Sequence, residues 1–182
     1  MAKWIDRNAL GPEGLEQLRV AEQVVAFQAL RRRSVVRWMG NEMAVSEEGP
    51  SGSPLFHDPS IPYLQMCPLV LEFAEGGQRE IHTYLSMRGA WGLCIDVRYG
   101  YLPDEGSEEE GSIFRWRVLG ELPIGVIENV DLVQDEKGNL TEVFLEMEEA
   151  RLEIRSGEVY EEDDGLRIVW QDESLLVAVG KK

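Results

Sequence analysis

The feature that most constrains the fold is a series of short β-rich segments that fills the chain from about Cys67 onward. Turns that contain glycine separate many of these segments, which include 68–73, 80–85, 91–98, 113–119, 124–133 and 142–148. Glycine accepts the positive φ that tight hairpin turns require, so this arrangement favours strands that pair with their sequence neighbours. Residues 67–182 are therefore predicted to form an antiparallel β-meander.

Strict alternation predicts that one face of this sheet is apolar. Along residues 142–148, apolar and acidic side chains take turns, with Phe144 as the one apolar residue on the acidic side. Successive side chains of a strand point to opposite faces, so this pattern is typical of an antiparallel sheet covered on one side. The predicted covered face consists of Val143, Leu145, Met147, Leu152, Ile154, Leu166, Ile168 and Trp170.

The N-terminal part of the chain supplies the cover. Gly11, Pro12 and Glu13 are typical of a helix start, and apolar residues recur at helical spacing through about Trp38. Val35 and Val36 suit either the helix end or a short strand. We interpret residues 1–44 as a helical N-terminal segment, which places Arg31, Arg32, Arg33 and Arg37 in the last turns of the helix.

A loop rich in proline and glycine joins the two parts. Residues 45–66 contain too many of these residues for a regular element, and apolar residues near Phe56 and Ile61 are expected to anchor the loop. The fold prediction is α+β: a single domain, 1–182, with a mostly antiparallel, curved β-sheet or partial barrel covered by one long N-terminal helix.

The charge excludes several partners. The formal net charge is −16, and residues 101–182 carry 22 acidic but only 8 basic side chains. Phosphate groups are bound by basic surfaces, so we expect neither nucleic acid nor an anionic membrane as a partner. The chain has no apolar run of membrane-spanning length and no signal-peptide pattern, which predicts a cytoplasmic protein.

The sequence contains no recognisable catalytic or metal-binding motif. It has two histidines and two cysteines, without the close spacing of zinc sites, and no phosphate-binding glycine loop. We therefore expect no catalytic residues, no metal and no cofactor. Cys67 and Cys94 are interpreted as reduced core residues, although a disulfide between neighbouring strands is not excluded by their spacing. His57 and Asp58 are interpreted as part of a turn.

An alternative function is a small-molecule-binding or enzymatic β-sheet protein with a pocket inside the curved sheet. On alternation Glu80, His82 and Tyr84 share one strand face. The residues predicted to line such a pocket are His82, Tyr84 and Trp91, followed by Tyr99 and Tyr101.

The acidic β region favours a different function. A negative surface can be simply a solvated face, but it can also capture a basic protein and speed the encounter. The predicted partner-binding residues are Glu142, Glu146, Glu148, Glu153, Glu161 and Asp163. Arg115 and Arg117, which flank Trp116, are expected to pair with glutamates of neighbouring strands. Pairing of exposed sheet edges into a dimer remains an open alternative.

The stretch SGEVYEEDDGLRIVWQDESLLVAV, residues 156–179, resembles the β-meanders of bacterial immunity proteins that neutralise polymorphic toxins. This resemblance implies binding of a toxin in the cytosol without catalysis, and it assigns no role to any single residue. Together with the acidity, it leads to the prediction of a non-catalytic acidic protein-binding module, an immunity-type inhibitor of a basic toxin or nuclease.

Overall fold

A computed structural model describes residues 10–49, 51–100, 103 and 111–181. The predicted helix is present as α1, Pro12–Gln28, with Pro12 in its first turn. It ends about ten residues before the predicted end at Trp38. Arg32 adopts a positive φ of 70° and donates its backbone N–H to Ile127, which redirects the chain. The strand alternative left open for Val35 and Val36 is confirmed, and the helical interpretation of the other residues in 29–44 is wrong.

Strand pairing explains this early end. Val35 lies opposite Phe73 in an antiparallel pair and is buried, so tertiary packing favours a strand over the helical pattern. Arg37 consequently lies in a strand and pairs with Glu72, while Arg33 stacks on Phe73 just after the helix. The strands are β1 Ser34–Met43, β2 Leu64–Phe73, β3 Gln78–Leu85, β4 Trp91–Arg98, β5 Phe114–Val118, β6 Gly125–Val126, β7 Asn129–Gln134, β8 Leu140–Glu146, β9 Ala150–Glu162 and β10 Gly165–Lys181.

Within the described ranges, the ten strands belong to one sheet and every strand pair is antiparallel. The main strand order is β4-β3-β2-β10-β9-β8-β7, while β1 pairs with β2 and carries β5 and β6 on its other side. The sheet curls into a half-barrel whose end strands are β4 and β7. The predicted α+β class and the curved, antiparallel sheet are confirmed.

Helix α1 contacts both end strands of the curled sheet. The side-chain oxygen of Gln23 accepts a hydrogen bond from the backbone N–H of Ile95 in β4, at 2.6 Å. The side-chain amide of Gln28 donates to the carbonyl of Val130 in β7, at 3.0 Å. These bonds occupy backbone groups that an end strand would otherwise leave unpaired. The helix therefore packs against the sheet, as predicted.

The main core fills the concave side of the sheet, which we call the inner face. Phe27 of α1, Trp38 of β1 and Leu71 of β2 are fully buried there. Val143, Leu145, Met147, Leu152 and Ile154 belong to the same cluster, which confirms the face predicted for them.

A second, smaller cluster lies on the opposite side of the sheet, the outer face. Val159 and Leu176 form it together with Val45 and Ile61, so the segment between β1 and β2 covers this part of the sheet. Leu55 and Tyr63 pack against the cluster and confirm that the loop has apolar anchors. The loop ends at residue 63, because β2 begins at Leu64.

This cover changes the orientation expected for part of β10. Leu166 and Ile168 pack against the second cluster, and Trp170 contacts Tyr63 edge to face, with ring centroids 5.6 Å apart. These three side chains therefore lie on the outer face and do not extend the inner one. The sequence prediction was wrong here because both faces of the sheet carry apolar residues.

Candidate functional site

The six predicted partner-binding acids do not form one surface. Glu142 in β8 and Glu153 in β9 lie on either side of Arg155, whose Nε is 3.2 Å and 2.5 Å from their carboxylates. The hydroxyl of Tyr63 donates a further hydrogen bond to Glu153, at 3.1 Å. These two glutamates are half-buried and share one arginine, which offsets one of their two negative charges, so they contribute less to an open negative surface than their number suggests.

The other four predicted acids lie at opposite ends of β9. Glu146 and Glu148 are at the β8–β9 turn, whereas Glu161 and Asp163 are at the β9–β10 turn. β9 has 13 residues, which corresponds to roughly 40 Å of extended chain. One compact partner cannot contact all four residues through a single small patch.

Glu161 borders an acidic cleft of about 530 Å³. One wall is the chain that follows β1, and the other is the end of β9. The cleft contains four carboxylates, and among the described residues that line it none is basic. The acidic cleft is defined by Glu47, Glu48, Glu158 and Glu161, together with the apolar and hydroxyl-bearing residues Met43, Ala44, Val45, Ser46, Ile113, Val159 and Tyr160.

Two hydrogen bonds position the acids of the cleft. Ser46 donates from its hydroxyl to Glu161, at 2.7 Å. Glu158 is 6% exposed and accepts a hydrogen bond from the hydroxyl of Ser174, at 3.2 Å. Burial raises the pKa of Glu158 above its ordinary value, the Ser174 bond opposes this, and the nearby charges of Glu173 and Asp172 raise the pKa further.

The arginines near this region are engaged elsewhere. Arg115 and Arg117 of β5 both contact the carboxylate of Glu42, which is 1% exposed, at 2.6 Å and 2.7 Å. Arg117 also pairs with Glu121, at 2.5 Å. This confirms the pairing predicted for the two arginines.

The alternative pocket lined by His82, Tyr84 and Trp91 is not formed. His82 and Tyr84 share the outer face of β3, as alternation predicts, but Trp91 pairs with Leu85 and therefore belongs to the other face. Tyr84 is buried between Gly92 and the guanidinium of Arg19, and burial raises its pKa to about 12. Tyr99 is 87% exposed, and Tyr101 lies outside the described residues.

His82 instead lies next to Cys94 and Asp96. In the β3–β4 hairpin, His82 is directly opposite Cys94, and Nε2 of His82 is 3.0 Å from Oδ2 of Asp96. The sulfur of Cys94 is 3.4 Å from both ring nitrogens. The Cys94 sulfur, Asp96 and the Thr83 carbonyl raise the pKa of His82 to about 10, against the opposing effect of burial.

Sequence reasoning missed this cluster, although a signal was present. Treating 80–85 and 91–98 as one hairpin around Gly89 places His82 across from Cys94, and alternation adds Asp96 to the same face. Both cysteines are free; Cys94 is buried, whereas Cys67 is exposed, so the core placement predicted for Cys67 is wrong.

Comparison with known proteins gives no relative. No family model, curated protein or solved structure matches this chain. No helix in the described part of the chain has the length and apolar character needed to cross a membrane.

Proposed function

We propose that this chain is a non-catalytic acidic protein-binding module that captures a basic protein through the acidic cleft. The proposal rests on a contrast between two groups of acids: Glu142 of β8 and Glu153 of β9 share an arginine, whereas the cleft around Glu161 gathers four carboxylates without a basic side chain among its described lining residues. A cleft lined by carboxylates without a basic neighbour has a negative potential, which attracts a basic side chain of a partner.

The shape of the cleft suits a side chain from a partner. Apolar residues such as Met43 and Val159 lie beside the carboxylates, so the stem of a lysine or arginine finds apolar contacts while its charged end reaches the acids. Glu161 is oriented by Ser46 and needs little rearrangement on binding. The basic residue of the partner would pair with Glu161 and reach toward the buried Glu158.

The immunity-type assignment builds on this surface. A toxin that acts on nucleic acid needs a basic site for phosphate groups, and an acidic cleft that occupies such a site would block the substrate. The resemblance of residues 156–179 to immunity-protein meanders supports the same assignment for the chain as a whole. Such an inhibitor acts in the cytoplasm and has no affinity for nucleic acid itself.

The experiment compares two variants that each remove three negative charges. One neutralises the cleft by Glu47→Gln, Glu48→Gln and Glu161→Gln; the other changes Glu146, Glu148 and Glu149 to glutamine at the opposite end of β9. The probe is a fluorescent arginine-rich peptide, titrated at about 0.1 M and about 1 M salt, between which the screening length falls from about 10 Å to about 3 Å.

We expect the cleft variant to weaken binding by about tenfold or more at low salt, and the remote variant by less than about threefold, because screened charges far from the cleft contribute little. Binding of the original chain should be lost at high salt. Equal losses in the two variants would show that the general negative field, and not the cleft, attracts the peptide. Binding that both variants leave unchanged would contradict the proposal altogether.

A further inference from the structure

The cluster of His82, Cys94 and Asp96 carries a second inference, which does not depend on the acidic cleft. The three side chains lie on the outer face of the β3–β4 hairpin, on strands that do not line the cleft. Each offers one ligand atom, and these atoms lie within 4.8 Å of one another. We propose that they bind a thiophilic divalent cation, Zn²⁺.

The donor atoms suit this ion. A thiolate, an imidazole and a carboxylate are the ligands that zinc uses in proteins, whereas Mg²⁺ and Ca²⁺ prefer oxygen alone. Tetrahedral zinc with these ligands places donor atoms about 3.3–3.6 Å apart. The separations here are 3.4 Å from the Cys94 sulfur to Nε2 of His82 and 3.0 Å from Nε2 to Asp96. These two donor separations are therefore close to those of a tetrahedral zinc site.

One ring nitrogen of His82 already has a backbone partner. Nδ1 of His82 lies 3.0 Å from the carbonyl oxygen of Thr83, which accepts a hydrogen bond from a protonated Nδ1. A backbone carbonyl on one ring nitrogen is the usual outer partner of a metal-bound histidine, because it leaves the lone pair of the other nitrogen for the metal. Nε2 is the nitrogen that faces Asp96.

The position of the sulfur disfavours a catalytic nucleophile activated by His82. The Cys94 sulfur is equally far from both ring nitrogens, which point in different directions, so it is in line with neither. Cys94 is also 1% exposed, which denies a substrate direct access to the sulfur. Metal binding requires a turn of the imidazole that aims Nε2 at a point between the Cys94 sulfur and the Asp96 carboxylate.

The cluster is open on one side only. The side chains of His82 and Asp96 are 34% and 62% exposed, so a cation reaches them from solvent, while Cys94 forms the floor. Three protein ligands leave the fourth tetrahedral position toward this open side, where a water molecule completes the coordination. Glu80, on the neighbouring position of β3, is paired with Arg98 and is not needed as a ligand.

The test uses Co²⁺ as a coloured substitute for zinc and then Zn²⁺ itself. Cobalt bound to a thiolate absorbs through sulfur-to-metal charge transfer, a signal that carboxylates elsewhere on this acidic chain cannot produce. We expect the full chain to show this band, to lose it on addition of one equivalent of Zn²⁺ and to keep it in excess Ca²⁺. Zn²⁺ affinity is measured by calorimetry on the same samples.

The variants separate this site from other sources of binding. Cys94→Ser should abolish the charge-transfer band, and Cys67→Ser, which removes the other thiol, should retain it. Cys94 is buried, so Cys94→Ser can lose the band simply because the variant misfolds. Asp96→Asn changes an exposed residue and leaves the fold intact, so it tests the site without this ambiguity. It should weaken Zn²⁺ binding by about tenfold or more. The absence of a band in the full chain, its loss in Cys67→Ser, or unchanged Zn²⁺ affinity in Asp96→Asn would overturn the proposal.

Discussion

Two buried glutamates of this protein have opposite surroundings. Glu42, on β1, is 1% exposed and contacts the guanidinium groups of Arg115 and Arg117. Glu158, on β9, is 6% exposed, and its hydrogen-bond partner is the neutral hydroxyl of Ser174, with Asp172 and Glu173 adding negative charge nearby. The carboxylate of Glu42 links β1 to β5 through two arginines and stabilises the fold. The charge of Glu158 is buried without a cation from the described part of the chain and lowers the stability of the fold.

The contrast teaches how to interpret an acidic sequence. An acidic residue that is compensated within the chain stabilises the fold, and one that is left uncompensated stores free energy that a basic partner can release. A count of 34 acidic residues does not distinguish the two kinds. The pattern of ion pairs does distinguish them: Glu142 and Glu153 share an arginine, whereas the acids of the acidic cleft have no basic neighbour among its described lining residues.

The largest effect that this comparison predicts is the loss of Glu42. Glu42→Gln leaves the guanidinium groups of β5 without their shared negative partner, and we expect the free energy of unfolding to fall by about 3 kcal/mol. Denaturant titration measures this loss. Glu121→Gln removes the exposed acid of the same network and should cost less than about 1 kcal/mol. Equal losses in the two variants would mean that burial of Glu42 is unimportant.

A change of opposite sign is expected at Glu158. Glu158→Gln keeps an oxygen that can accept the hydrogen bond from Ser174 but removes a charge that burial disfavours. We expect the melting temperature at pH 7 to rise by roughly 2–4 °C, which corresponds to about 1 kcal/mol for a chain of this length. A fall in melting temperature would show that the charge of Glu158 is compensated within the fold.

The pH dependence sharpens this prediction. Because the pKa of Glu158 is raised in the folded state, its protonation contributes stability that is fully present below the ordinary carboxyl pKa and is lost as the pH rises through the raised value. The stability difference between Glu158→Gln and the original chain should therefore be largest at pH 7 and disappear toward pH 4. A difference that grows as the pH falls would contradict the assigned direction.

Alternation along the chain predicted much of this fold. It placed Leu145 and Ile154 on the inner face and Arg115 beside a glutamate of another strand, because each depends on local periodicity. It failed where non-local contacts decide. The local pattern left Val35 open between helix and strand, and its pairing with Phe73 decides for the strand; Ile168 faces outward because the β1–β2 loop covers that side.

The candidate sites were less predictable for the same reason. The acidic cleft brings Glu47 and Glu48 against the end of β9 across more than a hundred residues of sequence, and no local pattern reports such a contact. The cluster of His82 and Cys94 was within reach of sequence reasoning, since it depends on the register of a single hairpin.

The central claim is that the acidic cleft is where a basic partner binds, and photo-crosslinking tests it most directly. The probe is an arginine-rich peptide with a photoreactive group, and the adducts are located by mass spectrometry after digestion. We expect adducts on residues 43–48 and 158–161, and we expect these adducts to disappear at high salt. Adducts concentrated on residues 146–149, or spread evenly over the acidic residues, would contradict it.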